Sequence, residues 1–152
     1  MRLESLADDQ GTVTIGCVGN GVLYAGYEGM LSARLGEQVA EQVERFASAS
    51  ASLQFFVDAS ALTQYDMVAR SAFVRVVLAH RRRFAALLML NWTSTISPAG
   101  RALVTLLGEP SEIVSDPDEF QHRIAQAAPH ARQMLAQRLG YRRLEARTRT
   151  LG

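Results

Sequence analysis

Two short, almost continuously apolar segments constrain the fold of this chain more than any other feature. Leu53–Val57 and Phe84–Leu90 are each followed by a segment in which apolar residues recur at helical spacing. A parallel strand that is covered on both faces loses the alternation of apolar and polar residues, so both segments are predicted to be inner strands. Short buried strands that alternate with helices form a largely parallel sheet, and we expect these two strands to be neighbours in it.

The first thirty residues predict an antiparallel edge for the same sheet. Thr12–Val18 places an apolar residue at every second position, which is typical of a half-buried strand. Turn residues precede and follow this segment, so Arg2–Leu6 and Val22–Ala25 are predicted as further strands. The sequence alone does not decide which of the two possible hairpins forms.

Four helices and one more short strand complete the prediction. Apolar spacing and helix-start residues predict helices over Glu28–Ala47, Asp66–Arg83, Ser97–Leu107 and Asp116–Ala127. The segments Asp58–Tyr65 and Asn91–Thr95 are predicted as loops, Ser111–Val114 as a short strand, and the segment after Pro129 as a second helical piece and a frayed tail. The fold class is therefore α/β, with a mixed, mostly parallel sheet of about five strands and helices packed against it.

Composition excludes several classes of protein. The chain has 152 residues and a net charge of +1, whereas nucleic-acid-binding domains show a clear basic excess. Its single cysteine, Cys17, forms no intrachain disulfide, which fits a cytoplasmic location. No apolar run approaches the roughly 20 residues of a membrane span, and the N-terminus does not look like a signal peptide. All 16 basic residues are Arg, which suggests a GC-rich bacterial genome.

The order of elements and one local passage resemble the STAS domain, the fold of the bacterial anti-anti-sigma factors and of SpoIIAA-like proteins. The passage is Phe55–Leu62, a hydrophobic strand with an Asp and a short loop, followed by Tyr65 and Asp66. The resemblance implies a STAS/SpoIIAA-like domain over residues 1–128, followed by a C-terminal helix and Arg-rich tail over residues 129–152. The CRAL-TRIO lipid-binding fold is similar as well.

The chain departs from that family pattern at one point. In anti-anti-sigma factors the second Asp is followed by hydroxyl residues, and a Ser among them is phosphorylated. Here Asp66 is followed by Met67, Val68 and Ala69. The resemblance therefore implies a domain that lacks the phosphoacceptor Ser and is not switched by that phosphorylation.

The first candidate site lies after the first inner strand. Ligands of open α/β sheets sit beyond the carboxyl ends of the strands, so Asp58, Tyr65, Asp66 and Arg70 are predicted to form a surface that a protein partner binds. Tyr and Arg are frequent hot spots of interfaces. A purely structural interpretation is also open, in which Asp66 caps its helix, Asp58 accepts hydrogen bonds from loop N–H groups, and Arg70 pairs with Asp66.

The second candidate site lies after the next strand. Trp92 is suited to cover an apolar ligand, and Ser94, Thr95 and Ser97 offer hydroxyls at a helix start, where anions bind. The alternative is a polar loop whose Ser caps the helix. The segment lacks the Gly-rich spacing and the Lys of a P-loop.

Catalytic and metal-binding patterns do not emerge from the sequence. The three histidines lie far apart and have no carboxylate or thiol at ligand spacing, and no nucleophile elbow or dinucleotide fingerprint is present. The sequence thus predicts no enzyme, cofactor or metal. It favours a bacterial regulatory or scaffold domain that acts by protein–protein interaction, with a small-molecule or lipid-binding module of the CRAL-TRIO type as the alternative. An exposed edge strand also suggests a homodimer.

Overall fold

The computed structural model describes residues 2–91, 97–108 and 110–131. A single mixed sheet organises this part of the chain, with helices on both of its faces. In chain order the elements are β1 (Arg2–Ala7), β2 (Gly11–Gly19), β3 (Val22–Leu31), α1 (Ala33–Ala49), β4 (Leu53–Tyr65), α2 (Met67–Ala79), β5 (Phe84–Leu90), α3 (Ser97–Leu107), β6 (Glu112–Val114), α4 (Pro117–Ala127) and a 3₁₀ turn (Pro129–Ala131).

The strands follow one another across the sheet in their order along the chain. β1, β2 and β3 pair antiparallel, so both opening hairpins form. β3, β4, β5 and β6 pair parallel, through crossovers that contain α1, α2 and α3. The prediction that Leu53–Val57 and Phe84–Leu90 are neighbouring strands is confirmed. The α/β class is confirmed too, and the described sheet has six strands where about five were expected.

The predicted loop over Asp58–Tyr65 is wrong, because β4 continues through it to Tyr65. The reason lies in the partner strand: β3 also runs beyond Ala25, to Leu31, and supplies hydrogen-bonding partners up to the Leu31–Tyr65 pair. Pairing of β4 with β5 ends at Asp58 and Leu90. Residues 59–65 are therefore paired to β3 alone, which explains why polar residues occur there.

The predicted start of the first helix at Glu28 is wrong for the same reason, since Glu28 lies in β3. Helix α1 begins at Ala33, where the Ser32 hydroxyl accepts a hydrogen bond from the Leu35 N–H (3.1 Å). Ser32 in turn donates to the Asp8 carboxylate (2.5 Å). That hydrogen bond, together with those from the Gln10 and Gly11 N–H groups, lowers the pKa of Asp8. The turn between β1 and β2 is thus connected by hydrogen bonds to the start of α1.

The sheet separates two apolar clusters. On one face α1, α2 and α3 pack against residues such as Leu23, Phe55 and Leu87. On the other face Phe120 and Ile124 of α4 pack against the alternate residues, such as Tyr24, Phe56 and Leu88. Within the described ranges no helix is long and apolar enough to cross a bilayer. Of the C-terminal helix and Arg-rich tail predicted over residues 129–152, the part from residue 132 onward lies outside the described residues, and the domain boundary at residue 128 stays a prediction.

Candidate functional site

Asp58 lies inside the molecule rather than on its surface. It stands in the middle of β4 and is fully buried, so the expectation of an exposed carboxylate is wrong. The carboxylate accepts hydrogen bonds from the Ser60 N–H (3.0 Å) and from the Ser60 hydroxyl (2.5 Å). A buried carboxylate needs hydrogen-bond donors, and Ser60 supplies two of them. Asp58 therefore stabilises the local conformation of β4, which agrees with the structural interpretation of this residue.

Asp66 joins the end of β4 to the start of α2. Its backbone N–H donates to the Leu31 carbonyl (2.9 Å), and its carboxylate accepts from the Val68 N–H (2.8 Å). This is the geometry of a helix N-cap, in which an Asp side chain satisfies one of the free N–H groups of the first turn. Asp66 therefore fixes the direction in which α2 leaves the sheet.

Tyr65 and Arg70 come together on the same side of α2. Both are half-buried, and both line a cavity between α2, α3 and the sheet. The predicted pairing of Arg70 with Asp66 does not occur. Within the described part of the chain the Arg70 guanidinium makes no hydrogen bond and no ion pair within 4.0 Å. Arg70 thus lines the cavity and has no ion-pair partner among the residues that the structure describes.

Two apolar residues of the first turn of α2 are exposed. Met67 is 64% exposed and Val68 is 49% exposed, whereas Ala69 beside them is fully buried against α1. From the sequence, Met67 and Val68 were predicted only to replace hydroxyl residues of the family pattern. The sequence did contain a signal for this exposed apolar surface. Two apolar residues follow a helix cap and precede an Arg, whereas a helix start normally presents polar side chains to water.

The cavity beneath this helix start is small and apolar. It has a volume of about 80 Å³ and is open to the surface. Side chains from β3, β4, α2, β5 and α3 line it, among them Val57, Leu62, Phe73, Met89 and Leu103. The alternative of a small-molecule or lipid-binding module of the CRAL-TRIO type requires a cavity of a few hundred cubic ångströms, on the scale of usual ligand pockets. This cavity holds far less.

One buried polar atom belongs to the cavity lining. Tyr27 of β3 is 3% exposed, and its hydroxyl has no hydrogen-bond partner among the described residues. Burial raises the pKa of Tyr27 well above its usual value, so the hydroxyl keeps its proton. Tyr27 and Arg70 are thus polar residues at the lining of a cavity whose exposed walls are apolar, and the Tyr27 hydroxyl itself is buried.

The second predicted site lies mostly outside the described residues. This holds for Trp92, Ser94 and Thr95, and of Ser97 the structure describes only the backbone, at the first residue of α3. β5 ends at Leu90, opposite Asp58, while Tyr65 lies seven residues further along β4, which corresponds to roughly 20 Å of strand.

Of the described histidine and cysteine side chains, those of His80 and Cys17 are half-buried, while His122 and His130 are exposed. His80 hydrogen-bonds to Glu44 (2.6 Å) and thereby links α2 to α1. Cys17 is half-buried, and desolvation raises the pKa of its thiol. Over the described ranges no group of three or more metal-ligating side chains comes together.

Comparison with known proteins identifies the fold. No protein-family model and no curated protein sequence matches the chain. Among solved structures, an uncharacterized DUF3478-family protein with a SpoIIAA-like fold from Shewanella loihica PV-4 is 14% identical, with a TM-score of 0.58 over 75% of this chain and 94% of that one.

Two further structures share the same architecture. Apo-SiaC from Pseudomonas aeruginosa is 16% identical, with a TM-score of 0.52 over 76% of this chain and all of that one. The anti-sigma factor antagonist SpoIIAA in its unphosphorylated form is 18% identical, with a TM-score of 0.50 over 74% of this chain and 96% of that one. At these identities the likeness establishes the fold alone, and the chain therefore has the SpoIIAA-like fold that its resemblance to STAS domains predicted.

Proposed function

We propose that this chain is a non-catalytic regulatory domain that binds another protein through the start of α2. The binding surface consists of Tyr65, Asp66, Met67, Val68 and Arg70, and we refer to it as the α2 entry surface. The observation that carries the proposal is the exposure of Met67 and Val68, which lie beside an Arg70 that has no ion pair with any described residue.

The composition of the α2 entry surface suits an interface. Single exposed apolar residues are common and need no explanation. Here two adjacent ones share a helix turn with an Arg that forms no ion pair in the described part of the chain, and a Tyr precedes the turn. Tyr and Arg are enriched among residues that dominate binding energy. Burial of a Met or Val side chain contributes about 1.5–3 kcal/mol, so a partner that covers this turn gains affinity.

The structural neighbours support a regulatory role. One of them is an anti-sigma factor antagonist, which is a protein that acts on another protein. No catalytic constellation was found in the sequence, and the sequence motifs of common enzymes are missing. We therefore propose a protein partner as the target, and a cytoplasmic location as the place where the two proteins meet.

We also propose that phosphorylation at the helix start does not control this surface. The first hydroxyl side chain of α2 belongs to Ser71, beyond Met67, Val68 and Ala69. Phosphate at a helix start needs an acceptor within the first turn to exploit the free N–H groups. Phosphopeptide mass spectrometry of protein purified from its native cells is expected to find no phosphate on Tyr65 or Ser71, the hydroxyl residues nearest to the first turn of α2.

A quantitative capture experiment tests the α2 entry surface. The wild-type chain, a Met67→Gln/Val68→Gln variant and a control variant, Glu37→Gln/Glu41→Gln on the exposed face of α1, are used as baits in extract of the native cells. We expect proteins that the wild type enriches to be lost from the α2 variant by at least about tenfold, which corresponds to 1.4 kcal/mol. The α1 variant is expected to retain them.

Two results would contradict the proposal. One is equal recovery of the same proteins by the α2 variant. The other is their equal loss from the α1 control, because that would show a general sensitivity of the fold. The free energy of unfolding of each bait, measured in urea, shows whether the variants remain folded.

A second candidate function is small-ligand binding, which the cavity beneath α2 favours. Its volume of about 80 Å³ suits a small molecule rather than a lipid chain.

Homodimerisation also stays a proposal, because β1 is an edge strand that pairs with β2 alone within the described sheet. Light scattering at several protein concentrations measures the molecular mass that decides between monomer and dimer.

A further inference from the structure

A large groove lies at the end of the sheet opposite the α2 entry surface. β3 begins beside the groove, at Val22, and reaches the α2 entry surface at Leu31. The groove has a volume of about 700 Å³ and is bounded by β1, the end of β2, the last turn of α1 and the end of α4. We propose that residues 132–139 of this same chain bind in the groove as a helix that covers Cys17.

The floor of the groove is apolar and only partly covered by the described elements. Cys17 of β2 and Phe46 of α1 are half-buried, and Ala49 at the end of α1 is exposed. Cys17 and Phe46 pack against the core cluster beneath α1, so the floor is continuous with the core. Removal of such apolar surface from water is favourable, and the groove therefore favours an apolar occupant.

The chain itself reaches this groove at the end of the described region. Ala128, which follows α4, and His130, which lies in the 3₁₀ turn, both line it. A Cβ atom added at Gly19 would lie 3.0 Å from the Cβ of Ala128, which places this point at the end of β2. The segment that follows the turn is thus tethered at the groove. A tether of this kind gives an effective concentration on the order of millimolar, so modest contacts are sufficient for binding.

The tethered segment has the pattern of a helix that packs by one side. It is predicted from the sequence as a helical piece that ends at Leu139. At 3.6 residues per turn, Met134, Leu135 and Leu139 fall on one side of that helix, and Gln133 and Gln137 fall on the other. A short helix of this kind is stabilised mainly by the packing of its apolar side, which the floor of the groove provides.

The length of the segment matches the groove. Cys17 precedes Gly19 by two residues, which corresponds to about 7 Å along β2. β1 pairs with β2, with Arg2 opposite Cys17, at a strand spacing of about 5 Å. Eight residues of helix span about 12 Å. The segment is therefore long enough to pass from the 3₁₀ turn across Cys17 to β1.

The charges at the rim favour this segment over the residues that follow it. Arg2 and Arg45 line the groove, and the carboxylate among its described lining residues is Glu4, which lies 3.9 Å from Arg45 in an exposed pair. Residues 140–152 contain four Arg and one Glu, so Arg2 and Arg45 repel them. The proposed occupant contains two Arg. One of them, Arg138, falls on the apolar side of the predicted helix, where its stem covers apolar surface while its charge stays near Glu4 and water.

Disulfide trapping in the full chain tests the proposal, because Cys17 is the single cysteine of the sequence. A second cysteine is introduced by Leu135→Cys, by Leu139→Cys or, on the opposite side of the predicted helix, by Gln137→Cys. In a glutathione redox buffer we expect an intramolecular disulfide from at least one Leu variant. Because a disulfide needs Cα atoms within about 4–7 Å of each other, this product is expected to form at least about tenfold faster than in the Gln137 variant.

The reactivity of the native Cys17 thiol provides a second readout. Leu135→Gln/Leu139→Gln is expected to raise the rate at which dithionitrobenzoate labels Cys17 by about tenfold or more, because the thiol becomes accessible. The matched control is Gln133→Asn/Gln137→Asn on the opposite side of the predicted helix, which is expected to leave the rate unchanged. Urea unfolding of both variants shows whether they are folded.

Three results would overturn the proposal. They are equal trapping rates at all three introduced cysteines, a disulfide-linked dimer as the main product of the Leu variants, and an unchanged labelling rate of Cys17 in the double Leu variant. The dimer would assign the groove to a second copy of the chain. Neither experiment contains a partner protein, so failure of the capture experiment on the α2 entry surface leaves these results unaffected. Conversely, a groove that does not bind the segment says nothing against the exposed Met67 and Val68 as a protein-binding surface.

Discussion

Helices α1 and α2 pack side by side on the same face of the sheet, yet they present different surfaces to water. α1 buries one apolar stripe, which includes Leu35, Val39 and Val43, and exposes charged residues such as Glu37 and Glu41. α2 has no such separation. Its buried contacts are made by Ala69, Ala72, Val76 and Val77, while Met67 and Val68 are exposed.

This difference separates a structural helix from a helix with a binding surface. An amphipathic helix such as α1 is satisfied once its apolar stripe is packed on the sheet. The first turn of α2 retains apolar surface that the described elements leave exposed, next to an Arg without an ion pair among the described residues. Substitutions in α1 are therefore expected to lower stability more than partner binding. Substitutions of the exposed residues in the first turn of α2 are expected to lower partner binding more than stability.

The largest expected effect concerns the contact between the two helices. A Cβ atom added at Gly36 of α1 would overlap with the Cβ and Cα atoms of Ala69 in α2. Gly36→Val is expected to reduce the free energy of unfolding by about 3 kcal/mol, because overpacking forces the backbones apart. The control is Glu37→Val, the same introduced side chain one position further along at an exposed site, with an expected loss below about 1 kcal/mol. Similar losses from both variants in urea unfolding would contradict this packing.

An identical substitution in both helices sharpens the comparison. Val43 of α1 is fully buried, and Val68 of α2 is 49% exposed. Val43→Ala is expected to cost about 2 kcal/mol of stability through lost burial and cavity formation. Val68→Ala is expected to change stability by no more than about 0.5 kcal/mol and to weaken partner capture instead. A stability loss of Val68→Ala that matches that of Val43→Ala would show that Val68 serves the fold.

The two helix caps provide a third and smaller test. Ser32 caps α1 and Asp66 caps α2, each by accepting a hydrogen bond from a first-turn N–H. Ser32→Ala and Asp66→Ala are each expected to cost about 1 kcal/mol of stability. Only Asp66→Ala is expected to reduce partner capture, since it loosens the turn that presents Met67 and Val68. Equal reductions in capture would place the binding surface elsewhere.

The smallest effect is expected for Asp8, which lies in the turn between β1 and β2 and accepts a hydrogen bond from Ser32 at the start of α1. Its pKa is lowered below the usual 3.8, mainly by the hydrogen bond from Ser32. A carboxylate with a lowered folded-state pKa stabilises the fold above its unfolded-state pKa, and this contribution disappears as the pH falls through the folded-state pKa. Asp8→Asn is thus expected to be less stable than wild type at neutral pH, and the gap is expected to close below pH 3.8. A gap that persists in acid would contradict this linkage.

The sequence predicted those parts of the fold that depend on local apolar patterns. Leu53–Val57 and Phe84–Leu90 are strands because both of their faces are covered, and such segments show it in their composition. The extension of β4 to Tyr65 was missed because its polar residues, such as Thr63 and Gln64, are typical of a loop. They are found in a strand because β3 extends equally far and pairs with them, which is a property of two distant segments.

The candidate site was predicted only in part, because local relations can be read from the sequence whereas contacts between distant segments cannot. Tyr65, Asp66 and Arg70 follow one another closely in the chain, so their common location at the start of α2 was accessible to sequence analysis. Asp58 was placed on the surface because the end of its strand was misjudged. Tyr27 lines the cavity because of the way β3, α2 and α3 approach one another. No local pattern around Tyr27 predicts that approach.

The central claim is that the first turn of α2 contacts a protein partner, and site-specific photo-crosslinking measures this contact directly. A photoreactive phenylalanine analogue is introduced at Val68 of α2 or, as a control, at Glu37 of α1, both of which are exposed. After irradiation of cells that produce each variant, we predict a discrete crosslinked species of higher mass from the Val68 variant alone. A discrete species from the Glu37 variant and none from the Val68 variant would contradict the account.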